Sequence, residues 1–248
     1  MEFESLIFDI DGTLWDSRAM VAEGYNIQLR AEGLGHLCLT AEDLTPLFGK
    51  VKEDLANALF AMLPEEARYA LMNRCMDSER DYMADMDCAI GYPDVKETLE
   101  ELAKKYRLFI VSNCDRGYPE LCMEKLGIGH LIEGHLCYGD TGTPKGETIL
   151  HLMDTHRISS ACYIGDTQGD ANAARTAAIP FVYCTYGFGQ VDAYWKKIDA
   201  FEDLLTLLLI GVCRDVPTDN TGLPGRQFSV RHWAQKLWYD CHRHSLSF

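Results

Sequence analysis

Leu6-Ile7-Phe8-Asp9-Ile10-Asp11-Gly12-Thr13 is the stretch on which the reading of the chain turns. Its apolar run is too short for a core helix and ends in Asp-x-Asp-Gly-Thr, so it reads as a buried strand entering a turn. On an extended segment, side chains at i and i+2 point to one side, which brings Asp9 and Asp11 together. At the carboxyl end of a strand in an open α/β sheet, that side is the ligand crevice. Two carboxylates so close repel, and a divalent cation is the simplest relief. A calcium loop does not fit, because its fifth position would be Thr13 and its twelfth Met20, where such a loop needs Asp or Asn and then Glu.

Outward from this stretch, residues 17–87 contain no strand-like run. Apolar residues recur at helical spacing, as in Leu55, Leu59, Met62 and Ala67, Leu71, Cys75, and breaks near Pro46 and Pro64 divide the stretch into about four helices. From Tyr92-Pro93-Asp94 onward, helix and strand alternate. Helices are expected over 95–105, 118–126, 146–155 and 171–178, and strands over 108–111, 136–138, 161–164 and 181–183. Alternation with continuous apolar strands implies parallel βαβ units. The expected fold is therefore α/β, a Rossmann-like parallel sheet core with an inserted all-helical cap domain. Residues 1–16 and 88–210 form the core in this reading, and 17–87 the cap. Residues 211–248 form a C-terminal tail, rich in aromatic residues, with five basic and three acidic side chains and no legible role.

Three further elements resemble the first in placement. Tyr163-Ile164-Gly165-Asp166-Thr167-Gln168-Gly169-Asp170 sets two more carboxylates at a strand end, with Asp170 placed to cap the helix expected near Ala171. Ser112-Asn113 follows the 108–111 strand and offers a hydroxyl to an anion. Lys145, beside Pro144 and opening a helix, is the cation placed to join them.

Composition sets outer limits. The chain has 248 residues, 23 lysines and arginines against 38 acids, and a net charge of −15. That balance argues against a nucleic-acid polymer or an anionic membrane surface as partner. Apolar residues at 47% are ordinary for a globular protein. Ten cysteines without a C-x-x-C pair point to reduced thiols, and the longest apolar run is about half the roughly 20 residues of a membrane span. A cytoplasmic protein, monomer or homodimer, is expected.

In order and spacing, the four elements resemble the four motifs of the haloacid dehalogenase superfamily over about residues 3 to 205. Asp9-Ile-Asp11-Gly12-Thr13 is similar to the first, Val111-Ser112-Asn113 to the second, Lys145 to the third, and Gly165-Asp166 through Gly169-Asp170 to the fourth. The helical insertion after Asp16-Ser17 resembles the cap of the phosphoglycolate phosphatase-like branch. The resemblance implies an Mg²⁺-dependent phosphatase acting on a small phosphorylated metabolite through an aspartyl-phosphate. Asp9 would be nucleophile and Asp11 general acid and base. Asp9, Asp166 and the Asp11 carbonyl would hold Mg²⁺, with Asp170 supporting. Ser112, Asn113 and Lys145 would bind phosphate.

Two departures stand out: Asp94 occupies a turn position where relatives often have glycine, and Thr143-Pro144-Lys145 reverses the common Lys-Pro order. In the cap, Phe48-Gly49-Lys50-Val51-Lys52 looks like the loop that reaches the active site, so Lys50 or Lys52 is a candidate for a second anionic group on the substrate. Trp15-Asp16-Ser17-Arg18-Ala19 lacks the histidine of the sugar-phosphate mutases, which favours hydrolysis. Alternative readings are a mutase or nucleotidase of the same superfamily, or a non-catalytic phospho-accepting module. Cys114, next to Asn113, is a candidate for oxidative regulation or a small filler.

Overall fold

Every strand of the sheet is short, and every one runs the same way. In the computed structural model, which describes residues 3–86 and 90–209, the chain opens with β1 (Ser5–Phe8) and passes at once into helices. These are α1 (Arg18–Ala31), α2 (Ala41–Leu44), α3 (Lys52–Leu59) and α4 (Glu65–Asp85), with two 3₁₀ turns between them. The alternating part follows as α5 (Val95–Leu102), β2 (Arg107–Ser112), α6 (Tyr118–Leu126), β3 (Ile132–Cys137), α7 (Tyr138–Thr141), α8 (Lys145–Thr155), β4 (Ala161–Gly165), α9 (Gln168–Thr176), β5 (Phe181–Cys184), β6 (Lys196–Ile198) and α10 (Asp203–Leu208). The sheet order is β3-β2-β1-β4-β5-β6, with all pairings parallel. That is a doubly wound α/β sheet, and its order reverses at β1.

Side-chain alternation along the strands divides the core into two layers. Leu6, Phe8, Leu108, Ile110, Cys162 and Ile164 face one way, onto α5, α6, α10 and the inserted helices. Ile7, Phe109, Val111 and Tyr163 face the other way, onto Ile149 and Leu152 of α8 and the alanines of α9. The inner strands β1, β2 and β4 are buried on both faces, which is why they read as apolar runs, whereas the edge strands β3 and β6 are partly exposed. Among the described residues, no helix is long and apolar enough to cross a membrane.

Within the insertion, α1 and α4 form the main pair. Gly24 makes their close approach possible: a Cβ there would lie 2.4 Å from the Glu79 Cα. The Ser78 hydroxyl donates to the Gly24 carbonyl at 2.8 Å and fixes the crossing.

Several boundaries differ from the sequence reading. Tyr138 is not the end of a strand; it starts α7, and β3 begins six residues earlier, at Ile132. The fourth-motif helix starts at Gln168 rather than Ala171, and its N-cap is Thr167. Asp170 sits at the third helical position and completes a capping box, with its side chain reaching back to the Thr167 amide. β6, three residues with lysines at two positions, was not expected at all. Asp94 adopts φ +57°, the left-handed conformation that favours glycine, so its effect is on the turn before α5. The C-terminal tail expected over 211–248 lies outside the described residues.

Phe109 is fully buried at the centre of the α8–α9 layer. Phe109→Ala is expected to cost about 3–5 kcal/mol of stability. Urea unfolding checks this, and a loss under about 1 kcal/mol would contradict the packing described.

Candidate active site

The carboxyl ends of β1, β2 and β4 meet where the sheet order reverses, and the side chains that follow them converge there. Asp9 comes directly off β1, Ser112 ends β2, and Asp166 follows β4. Lys145 enters from the first turn of α8 and is 5% exposed. Its ammonium donates to Asp9 Oδ1 at 2.9 Å and to Asp170 Oδ1 at 2.6 Å. Its order relative to Pro144 is therefore no obstacle to its reaching the site.

Asp166 lies in a slot so tight that Gly12 has to be glycine. Gly12 has φ +78°, and a Cβ there would stand 2.2 Å from Asp166 Oδ2. That oxygen accepts the Phe188 amide at 2.6 Å. The other, Oδ1, is buried without a hydrogen-bond partner. Asp170 is placed differently: Oδ2 accepts the Asp166 amide (3.2 Å) and, from Thr167, the amide (2.9 Å) and hydroxyl (2.7 Å), while Oδ1 takes Lys145. Oxygens of Asp9, Asp166 and Asp170 lie within 4.8 Å of one another.

Electrostatics follow from burial. Loss of water pushes the Asp9 carboxyl up to about 7; Asp170 adds to the rise and Lys145 opposes it. Asp166 is held well above the carboxylate range by burial, then by Asp170 and Asp9. Burial alone would depress the Lys145 ammonium, but Asp170 and Asp9 override it and hold its pKa above the ordinary value. A desolvated group of carboxylates with an orphaned oxygen fits a divalent cation, which would relieve the repulsion and partner Asp166 Oδ1.

Asp11 is set apart. Its Oδ1 accepts three donors, the Trp15 indole (2.8 Å), the Ser17 hydroxyl (2.5 Å) and the Tyr118 hydroxyl (2.8 Å). Burial raises its pKa in spite of them. Its side chain is not in the metal-capable group, which leaves only its backbone for that purpose.

Above these residues lies a cleft of about 710 Å³, counting its open mouth, lined by Asp9, Asp11 and Ser112 from the core and by residues of the insertion. Lys50 lines it and is exposed. Lys52 pairs instead with Asp115 at 3.5 Å. The Asn113 amide donates one hydrogen to the Gly49 carbonyl at 2.7 Å, tying β2's end to the loop before α3. Phe48 and Phe188 meet edge to face at 5.0 Å and close the same seam. Burial and then contact with Cys137 push the Cys114 thiol well above its usual range, which disfavours the thiolate.

Sequence reasoning did not anticipate Trp15, Ser17 and Tyr118 around Asp11, or Glu79 on α4. Glu79 lines the cleft, is 6% exposed, and shares the buried face of α4 with Leu71, Met72, Cys75 and Met83. A glutamate on that apolar stripe was the available signal. Burial first, then the Asp11 charge, raises its pKa from 4.5 to about 8, although a hydrogen bond from Tyr25 opposes the shift. The raised value means that the folded chain keeps, between about 4.5 and 8, a proton that the unfolded chain has released. Stability is therefore lost as pH rises through that window. Glu79→Gln removes this loss, so the Tm advantage of the variant should grow from pH 5 to pH 8 in thermal melts; a pH-independent difference would contradict the burial described.

The haloacid dehalogenase-like hydrolase family model matches residues 6–184. Over 195 residues the chain is 30% identical to the phosphoglycolate phosphatase of Agrobacterium fabrum, covering 75% of this chain and 82% of that relative. It is 28% identical over 189 residues to the phosphoglycolate phosphatase of Rhodobacter capsulatus, covering 74% and 85%. A haloacid dehalogenase-like family hydrolase from Streptococcus pneumoniae superposes with a TM-score of 0.70 at 22% identity, over 83% of this chain and 98% of that one, a likeness of fold. With strand order, converging carboxylates and family match in agreement, this chain belongs to the haloacid dehalogenase-like hydrolases.

Proposed function

We propose that this enzyme hydrolyses small phosphate monoesters through an aspartyl-phosphate on Asp9, with Mg²⁺ as cofactor. The observation that carries the reading is the buried group of Asp9, Asp166 and Asp170 around Lys145, with Asp166 Oδ1 lacking any partner. A carboxylate lining a cleft beside a lysine and a cation site is equipped to attack phosphorus. Asp9 and Asp166, with the Asp11 carbonyl, would hold the cation, and Asp170 would orient the group through Lys145 and the 166–167 amides. When bound, Mg²⁺ neutralises charge on the transferring phosphoryl group.

In the first half-reaction, an Asp9 oxygen bonds to phosphorus, the bond from phosphorus to the leaving oxygen breaks, and that oxygen takes a proton from Asp11. In the second, water attacks the phosphorus, gives its proton to Asp11, and the acyl phosphate bond to Asp9 breaks. Its raised pKa suits Asp11 to both transfers, because burial makes the carboxyl hold its proton more tightly than a solvated one does. The three donors on its Oδ1 fix its orientation. Ser112, at the end of β2, and Lys145 would donate to the phosphoryl oxygens. The names of the relatives make 2-phosphoglycolate the reference substrate for assay.

Asp9→Asn should lower Mg²⁺-dependent phosphatase activity at least roughly 10³-fold while the circular dichroism spectrum is retained. Substantial turnover in that variant would sink the mechanism. Mg²⁺ should also raise the Tm of the wild type and not of Asp166→Asn, since only the folded cluster binds the ion. Equal shifts in the two proteins would place the cation elsewhere.

A further inference from the structure

The donors around Asp11 come from two parts of the chain. Trp15 and Ser17 belong to the same short segment as Asp11, whereas Tyr118 arrives from the first turn of α6, 107 residues further on. All three place their hydrogen bonds on one oxygen, Oδ1. The Trp15 indole can only donate, so Oδ1 has to act as an acceptor. Trp15 is fully buried and meets the Tyr118 ring edge to face, with centroids 5.5 Å apart, which holds the phenol in place. Tyr118 is itself buried, and both it and Asp11 line the cleft.

A carboxyl whose Oδ1 accepts from these donors carries its proton on Oδ2. In the first half-reaction the Asp9 oxygen bonds to phosphorus and the bond from phosphorus to the leaving oxygen breaks. The electron pair stays on the leaving oxygen, which takes the Oδ2 proton. Asp11 is then a carboxylate, and a hydroxyl donates more strongly to a carboxylate than to a neutral acid. The Tyr118 hydrogen bond therefore tightens as the proton departs. An interaction stronger in the transition state than in the ground state raises the rate. We propose that Tyr118 is a positioning residue for the general acid: its hydroxyl reserves Oδ1 as the acceptor, leaves Oδ2 to deliver the proton, and stabilises the carboxylate that results. The inference rests on the phosphate-ester reading of the site and deepens it.

The leaving group provides the test. An alcohol departs readily only with a proton, whereas acetate and 4-nitrophenolate depart without one. The comparison is of kcat/KM of the Mg²⁺-loaded full chain on 2-phosphoglycolate and glycerol 3-phosphate, which release alcohols, and on acetyl phosphate and 4-nitrophenyl phosphate. Tyr118→Phe keeps the ring and removes only the hydroxyl. It should lower kcat/KM on the better alcohol ester roughly 10- to 100-fold, the scale of one hydrogen bond to a charged group. On the better activated ester the loss should be at least roughly fivefold smaller, and competitive inhibition by inorganic phosphate should stay within about twofold of the wild type. Ser17→Ala removes a second donor from the same oxygen and should show the same dependence on leaving group, so the role of Oδ1 is decided even where Tyr118→Phe is poorly expressed. Equal losses on both kinds of ester, no loss on either, or weakened phosphate inhibition overturns the proposal and leaves the phosphatase reading standing. So does a wild type that hydrolyses only one kind, since attack at phosphorus is common to both. A wild type that hydrolyses none of the esters removes the phosphatase reading and this inference with it.

Discussion

The Lys145 ammonium, wedged between Asp9 and Asp170, is the contact around which the catalytic end of the sheet is organised. Three carboxylates within 4.8 Å of one another, all buried, would repel strongly in a medium of low dielectric. Lys145 offsets part of that repulsion and makes its hydrogen bonds in a place with almost no water. Removing one partner from a buried pair typically costs about 3–5 kcal/mol, because the charge left behind is uncompensated. The lysine cannot neutralise the whole group, however. Asp9 and Asp166 remain above the ordinary carboxylate range, and Asp166 keeps an unpartnered oxygen. The site is thus incomplete as protein alone, and the deficit has the charge and the oxygen donors of a hard cation.

The fold was legible in the sequence because its inner strands are buried on both faces and left apolar runs, as at 108–111 and 161–164. The insertion was legible for the complementary reason that its apolar residues follow a helical period. What escaped notice was short or governed by partners far away in sequence. β6 has only three residues, with two exposed lysines, and no pattern of that length marks a strand. Tyr138 has the residue type of a strand but lies just past the Cys137 cap, so capping geometry overrode propensity.

The site divides along the same line. Asp9, Asp11, Ser112 and Asp166 were readable because strand ends deliver them to one place, and Lys145 and Asp170 because they lie in the first turns of the helices that start there. Their supporting contacts were not. Tyr118 reaches Asp11 from the first turn of α6, and nothing in the sequence near either residue announces it. Asn113 and Lys52 were expected at the site, and their contacts with Gly49 and Asp115 are ones that only tertiary geometry reveals. Proximity is legible from topology; the direction of a donor is not.

The position of β1 has a consequence for how the molecule is made. Ser5, near the beginning of the chain, pairs with Arg107 on one side and Ala161 on the other. The central strand therefore waits, as synthesis proceeds, for neighbours that emerge long after it, and closing such distant pairs is entropically slow. The helical insertion, with its own α1–α4 contacts, emerges completely before either neighbour does. Asp166 and Asp170 both follow β4, so a chain ending before residue 160 lacks two of the three clustered carboxylates. The carboxylate cluster can therefore be completed only after synthesis has passed residue 170.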